Sequence, residues 1–252
     1  MKTDMKTHIG HSTPDRVVVR GHDLSRDLIG KRDFVEMLYF LSLKRFPNPA
    51  QLRVLNACLV TLMEHGWTPS SIIARMTADS VPEEMQVAMA SGVLVMGSVF
   101  AGTTEGCARI LETGLKRGGD RDAYCRDVVE EHRATKKPVP GFGHPVHKPI
   151  DPRVITLLAM ADELKLDGGY VPLLKQLSAE VDRQAGKHVT LNATSAMAAL
   201  LLEIGFPPDI MRGLSVVARA AGLIGHIVEE REAHAARKIW NLAEEHIPYE
   251  NP

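Results

Sequence analysis

The stretch from Lys136 to Arg153, K-K-P-V-P-G-F-G-H-P-V-H-K-P-I-D-P-R, constrains the fold more than any other part of the chain. Pro138, Pro140, Pro145, Pro149 and Pro152 remove backbone donors at short intervals, and no apolar period runs through them. The segment is therefore neither a regular helix nor a regular strand but a shaped loop between two helical stretches. Gly141 and Gly143 permit backbone angles that other residues avoid, and they let a ligand approach the main chain. Asp151-Pro152 reads as an N-cap followed by proline in the first helical position, so a helix starts there. His144, His147, Lys148 and Arg153 then gather near a helix N-terminus, a place that suits an anion. Composition alone leaves a second reading open, a proline-rich connector with solvated charges.

The rest of the chain reads as helices. From Asp33, the apolar residues Phe34, Met37, Leu38 and Leu41 share one face, and this helix ends near Pro47. Pro49 to Glu64 is a second helix closed by His65-Gly66, and Thr68-Pro69 starts a third. Val81-Pro82 begins another that runs through Met85, Met89, Val93 and Met96. Glu105 to Leu115 and Arg121 to Ala134 follow, separated by Gly118-Gly119. Beyond the loop lie Val154 to Lys165, Tyr170 to Ala185 and the strongly apolar Thr194 to Glu203. Asp209 to Ala236 is one long helix or two in succession. Arg16 to Arg20 is a short extended segment, Gly21 to Lys31 a turn-rich lead-in, and the first 15 residues and the C-terminal end are polar. Alternation of β-branched residues is nearly absent, so the expected class is all-α.

The 252 residues suffice for one sizeable domain, or a large one with a smaller one inserted. A net charge of −1 argues against a nucleic-acid partner. No apolar run approaches the roughly 20 residues of a membrane span, and the N-terminus lacks the apolar core of a secretory signal. Cys58, Cys107 and Cys125 have no metal-type or paired spacing, which suggests reduced thiols and a cytoplasmic location.

The loop motif G-F-G-H-x-V-x-K-x-x-D-P-R resembles the signature of the citrate synthase family, where it binds coenzyme A and the oxaloacetate part of the substrate. The resemblance implies that His144 touches the substrate hydroxyl or carbonyl and that Arg153 binds a carboxylate. It places Lys148 near the CoA phosphates, with Pro140, Gly141, Phe142 and Gly143 in the loop that clasps CoA. M-E-H-G-W-T-P-S-S resembles the family's D-H-G-x-x-x-S segment, which makes His65 an oxaloacetate-binding histidine. On its residues alone, His65 equally reads as a ring that caps the last carbonyls of its helix. V-V-A-R-A-A-G-L-I-G-H resembles A-R-x-x-G-x-x-x-H, in which the arginine, here Arg219, binds a carboxylate. The physical alternative for Arg219 is an internal salt bridge, because an unpaired buried guanidinium is costly. His226 and Glu230, four apart, read as a helical side-chain pair.

Two positions depart from citrate synthase. G-S-V-F-A-G-T-T-E aligns with G-P-L-H-G-G-A-N-E and puts Phe100 where the family has the histidine that stabilises the acetyl-CoA enolate. Phenylalanine donates no hydrogen bond to an enolate oxygen; in this it is similar to the citryl-CoA lyase module of ATP-citrate lyase. L-N-A-T-S aligns with the segment carrying the family's proton-moving aspartate and puts Thr194 in its place. A replacement acid is then to be sought in Glu64, Asp151 or an N-terminal carboxylate.

R-G-H-D-L-S-R-D-L-I-G resembles the lead-in of the short, citryl-CoA lyase-like members. The expectation is a citrate synthase-like, all-α homodimer, with residues 16–112 and 215–252 forming a large domain and 113–214 a small one that closes over CoA. It would cleave citryl-CoA, or a related carboxylated 3-hydroxyacyl-CoA, to acetyl-CoA and an oxaloacetate-like acid without a metal. A catalytically degenerate CoA-thioester or tricarboxylate binder, or a citrate or methylcitrate synthase, are the alternatives.

Overall fold

The structure is a computed structural model that describes residues 5–251, the side chain of Phe100 excepted. The described residues hold eleven α-helices, and the expected all-α class stands, with one three-stranded addition near the N-terminus. The chain divides into two compact units, one up to Asn56 and one from Ala57 onward.

In the first unit, β1 (Gly10–Ser12), β2 (Val17–Val19) and β3 (His22–Asp23) form an antiparallel meander. β2 is the extended segment expected at R-V-V-V-R, whereas β1 lies in a stretch read only as polar. The turn-rich lead-in contains a π-helical turn, Leu24–Leu28, whose first amides are accepted by the Asp23 side chain. α1 (Phe34–Leu43) opens on a capping box, with Asp33 accepting from the Glu36 amide and Glu36 accepting from that of Asp33. Phe40 and Phe46 stack with centroids 4.3 Å apart, and His22 meets both edge-on. α2 (Pro49–Met63) begins in this unit.

The second unit carries the site. Its helices are α3 (Pro69–Ser80), α4 (Met85–Leu94), α5 (Ser98–Arg117), α6 (Arg121–Ala134), α7 (Pro152–Glu163), α8 (Tyr170–Ala185), α9 (Ala193–Glu203), α10 (Pro208–Ala233) and α11 (Ala235–His246). α9 is apolar on every face and lies at the centre, contacted by α5, α7, α8 and α10; from Ser195 to Leu202 every residue is buried. α10 packs on α3, α4 and α5. By length and composition it is apolar enough to cross a membrane, which the sequence reading did not anticipate. It buries Arg219 and Glu230 among its neighbours, as a core helix does.

Three elements differ from expectation. α5 starts at Ser98 rather than Glu105, although Gly102, Gly106 and the two threonines are weak helix formers. Close packing accompanies it: a side chain at Gly102, in the added turns, would meet Arg212 at 3.3 Å, and one at Gly106 would meet Pro140 at 3.1 Å. α4 starts at Met85 because the backbone at Val81 closes α3. The polar C-terminal end is helical, as α11, and is separated from α10 by His234 in a left-handed conformation.

Candidate active site

Several segments of the second unit meet around a cavity of about 610 Å³, among them the end of α4 and the start of α5. The others are the turn after α2, the 136–151 loop, the start of α7, the start of α9, and α10. His65, Gly143, His144, Arg153, Thr194 and Arg219 line it together. Six sequence-assigned positions from five separate segments thus share one cavity. Pro140, Gly141, Phe142 and Lys148 do not line it, and Phe100 lies outside the described side chains.

The loop is held by backbone pairing to the segment before α9. Gly143 N donates to Thr190 O at 2.7 Å, Asn192 N donates to Gly141 O at 3.1 Å, and Asn192 Nδ2 donates to Gly143 O at 2.9 Å. Gly141, expected to admit a ligand, is instead filled by protein: at φ +90°, a Cβ there would stand 2.6 Å from Ser195 Cβ. Gly143, at φ +82°, has open space where its side chain would be, so that reading holds there alone. Lys148 is exposed.

Asp151 anchors the other end of the loop. It caps α7 through the Arg153 amide, accepts from Arg153 Nε at 3.0 Å and Nη2 at 2.7 Å, and accepts from the Ala193 amide at the start of α9. It is fully buried. Burial alone would push its pKa up, but the bonds from Arg153 and Ala193 outweigh this and hold the carboxyl below the usual range. Asp151 is thus a fixed anion that aims Arg153, not a substitute acid.

His144 is set with similar economy. Its Nδ1 accepts the amides of Val146 (3.1 Å) and His147 (2.9 Å), so the proton sits on Nε2. Arg153 Nη2 lies 3.3 Å from His144 Nε2, so the guanidinium and this edge of the ring stand side by side at the cavity. Burial first, then the neighbouring His147 and Arg153, keeps the His144 pKa below 6.5 and the ring neutral. It is a neutral hydrogen-bond donor suited to a carbonyl or hydroxyl oxygen.

Arg219 is buried, at 7% exposure, and its Nη1 has no hydrogen-bond partner among the described residues. Among the described residues, the internal salt bridge that the sequence left open is not made. Burial lowers its pKa, with Glu64 acting the other way, but a guanidinium stays charged. A buried cation without a described partner, at a cavity, suits an anion.

His65 does not cap carbonyls as its alternative reading supposed. Its ring makes no hydrogen bond to a described residue and meets His144 and His147 edge-on, at 5.6 and 5.8 Å between centroids. Its turn is fixed from behind. Glu64 accepts the amides of His65 and Gly66, and its Oε2 lies 2.7 Å from His226 Nε2. His226 Nδ1 accepts from Arg75 Nε at 3.0 Å. Arg75 also bonds Glu229 and Glu230 and lies over the Trp67 ring at 4.6 Å. His226 and Glu230, read as a pair, are joined through Arg75 instead. Burial raises the Glu64 pKa, but the Gly66 amide and His226 outweigh it and leave the carboxyl low, so Glu64 is no acid either.

The donor atoms of His65, His144 and His147 lie within 4.8 Å of one another, a convergence not read from the sequence. It is a poor metal site: Nδ1 of His144 is committed to two amides, and Arg153 and Arg219 oppose a dication. The sequence also gave no role to Asn192, which caps α9 through Oδ1 and accepts the Thr194 hydroxyl at 2.6 Å.

Residues 31–241 match the citrate synthase C-terminal domain, and the chain belongs to the citrate synthase family. Among solved structures it is similar to citryl-CoA lyase from Hydrogenobacter thermophilus, at 30% identity and a TM-score of 0.88, over 99% of this chain and 96% of that one. The ATP citrate lyase of Methanothrix soehngenii, solved with citrate and coenzyme A, is 20% identical and shares the fold (TM-score 0.82) over the whole chain and 42% of its own. The citrate synthase of Synechocystis is 27% identical over 204 residues, 79% of this chain. The chain spans about half the length of the curated citrate synthases it matches, and nearly all of the lyase.

Proposed function

We propose that the protein is a citryl-CoA lyase-like enzyme, cleaving citryl-CoA or a related carboxylated 3-hydroxyacyl-CoA to acetyl-CoA and an oxo acid. The observation that carries this is the unpaired guanidinium of buried Arg219 facing the same cavity as Arg153 and the Nε2–H of His144. Two cations suit two carboxylates, and a neutral N–H beside Arg153 suits the oxygen that changes from hydroxyl to carbonyl as the carbon–carbon bond breaks. The likeness to citryl-CoA lyase along nearly its full length supports a lyase over a synthase. Coenzyme A enters as part of the substrate, with the Pro140–Lys148 loop beside the cavity as its clasp. A homodimer in the cytoplasm, with residues 113–214 closing on CoA, completes the reading.

The test is to mix the protein with citryl-CoA and follow oxaloacetate through NADH oxidation by added malate dehydrogenase, with His144→Ala in parallel. Turnover lost in His144→Ala supports the reading. A folded protein that binds CoA without turnover favours the second reading, a binding-only relative. The feature behind that second reading is Thr194, whose hydroxyl proton is tied to Asn192 and which is no acid near neutral pH.

A further inference from the structure

The proposed cleavage requires one proton to leave the substrate hydroxyl and one to arrive on the departing carbon. Among the described residues lining the cavity there is no aspartate or glutamate. The nearby carboxylates are committed elsewhere, Glu64 to two amides and His226, Asp151 to Arg153 and Ala193. Arg153 and Arg219 do not release protons near neutral pH. His144 has spent its lone pair on two amides, so it can donate a hydrogen bond but cannot accept a proton. His65 remains. Its ring lines the cavity, carries no hydrogen bond to a described residue, and when neutral has one free lone pair.

We propose that His65 is the proton shuttle of this site, taking the hydroxyl proton of the substrate and returning it to the acetyl carbon. The proposal rests on the reading of the cavity as a site of citryl-CoA-type cleavage. The O–H electron pair becomes the second bond of the new carbonyl. The pair of the breaking C–C bond stays on the CH₂ of the thioester as an enolate. The proton held on His65 then moves to that carbon, giving CH₃ and a neutral ring, and nothing else is consumed.

The surroundings suit both halves of the cycle. Facing His65 are Arg153 at the start of α7, Arg219 on α10, His144 and His147 on the loop, Asp151 behind Arg153, and Glu64 in its own turn. Burial, then Arg153, His147 and Arg219, lower the His65 pKa from 6.5, with Asp151 acting the other way. The ring therefore begins as the free base, and its protonated form sits among cations and gives the proton up readily.

The test uses the full chain with His65→Gln and His65→Gly, both checked for folding by circular dichroism and for CoA binding by titration calorimetry. Two reactions are followed, citryl-CoA cleavage and exchange of acetyl-CoA methyl protons with D₂O in the presence of oxaloacetate. The proposal expects kcat for cleavage in His65→Gln to fall by about 10²- to 10⁴-fold, the usual worth of a positioned acid–base group. It also expects added imidazole to restore rate to His65→Gly in proportion to the free-base form. A fall of less than about tenfold, a change in KM alone, or a folded His65→Gly without imidazole rescue would overturn the shuttle while leaving the lyase reading in place. A parent inert toward citryl-CoA that still shows His65-dependent exchange would sink the lyase reading and keep the shuttle. Neither cleavage nor exchange in the parent overturns both.

Discussion

Two arginines are buried in the same helical unit, and they are buried in opposite ways. Arg75, at 1% exposure, has every side of its guanidinium occupied: Glu230 at Nη1, Glu229 at Nη2, His226 at Nε and the Trp67 ring on its face. Arg219, at 7%, leaves Nη1 without a protein partner. A chain satisfies a buried charge when the charge serves the fold, because an unmet one costs several kcal/mol. Where it leaves one unmet at a cavity, the missing partner is a ligand. Arg75 holds up the turn that carries His65, and under the proposed function Arg219 is left for a carboxylate.

The sharpest way to break this comparison is to remove Arg75. Arg75→Met strands Glu230, itself 3% exposed, and should cost about 3–5 kcal/mol in urea unfolding. Adding Glu230→Leu removes the stranded charge and should recover much of that loss, which a double-mutant cycle reads directly. A small effect of Arg75→Met alone would mean that the two arginines do not differ as claimed.

Gly222 tests the same turn from α10. A Cβ there would stand 1.8 Å from Met63 O, so Gly222→Ala must push α10 and the end of α2 apart. The expected cost is about 1–3 kcal/mol, with weaker citrate binding because the His65 turn moves with Met63. Unchanged binding would show that the turn adjusts independently.

The smallest expected effect is on pH dependence. His65 and His144 titrate below 6.5 in the folded state, chiefly through burial. As pH falls below 6.5 the unfolded chain takes up protons that the folded one refuses, so stability declines from there down to the depressed values. Above 6.5 both states are neutral at these rings and the contribution is flat. Replacing His65 by Gln should lessen the decline in acid melting curves; an equal decline would place it elsewhere.

Much of this was legible from local chemistry. Asp33, Thr68-Pro69 and Asp151-Pro152 announce their helices because a cap needs only its own next three residues. The cavity-lining set of His65, His144, Arg153, Thr194 and Arg219 followed from the resemblance to the family's motifs, and the fold brings those residues together. What was hidden depends on distance in sequence. Arg75 meets its partners 151 to 155 residues away, so no window around it reveals them. The first turns of α5 contradict their own propensity and form because glycines there allow close contact with Pro140 and Arg212. Asp151 as the anchor of Arg153 had a visible signal in the D-P-R spacing, but the Ala193 amide that completes it did not.

The most direct measurement is citrate binding to the parent and to Arg219→Met by titration calorimetry, with melting curves on both. Loss of a charged hydrogen-bonding partner is worth about 1.5–3 kcal/mol, so affinity should fall by about 10- to 100-fold. Arg219→Met should melt at or above the parent, since it removes a buried charge that no described protein group satisfies. A variant that melts well below the parent and binds citrate as the parent does would contradict the account, for Arg219 would then belong to the fold as Arg75 does.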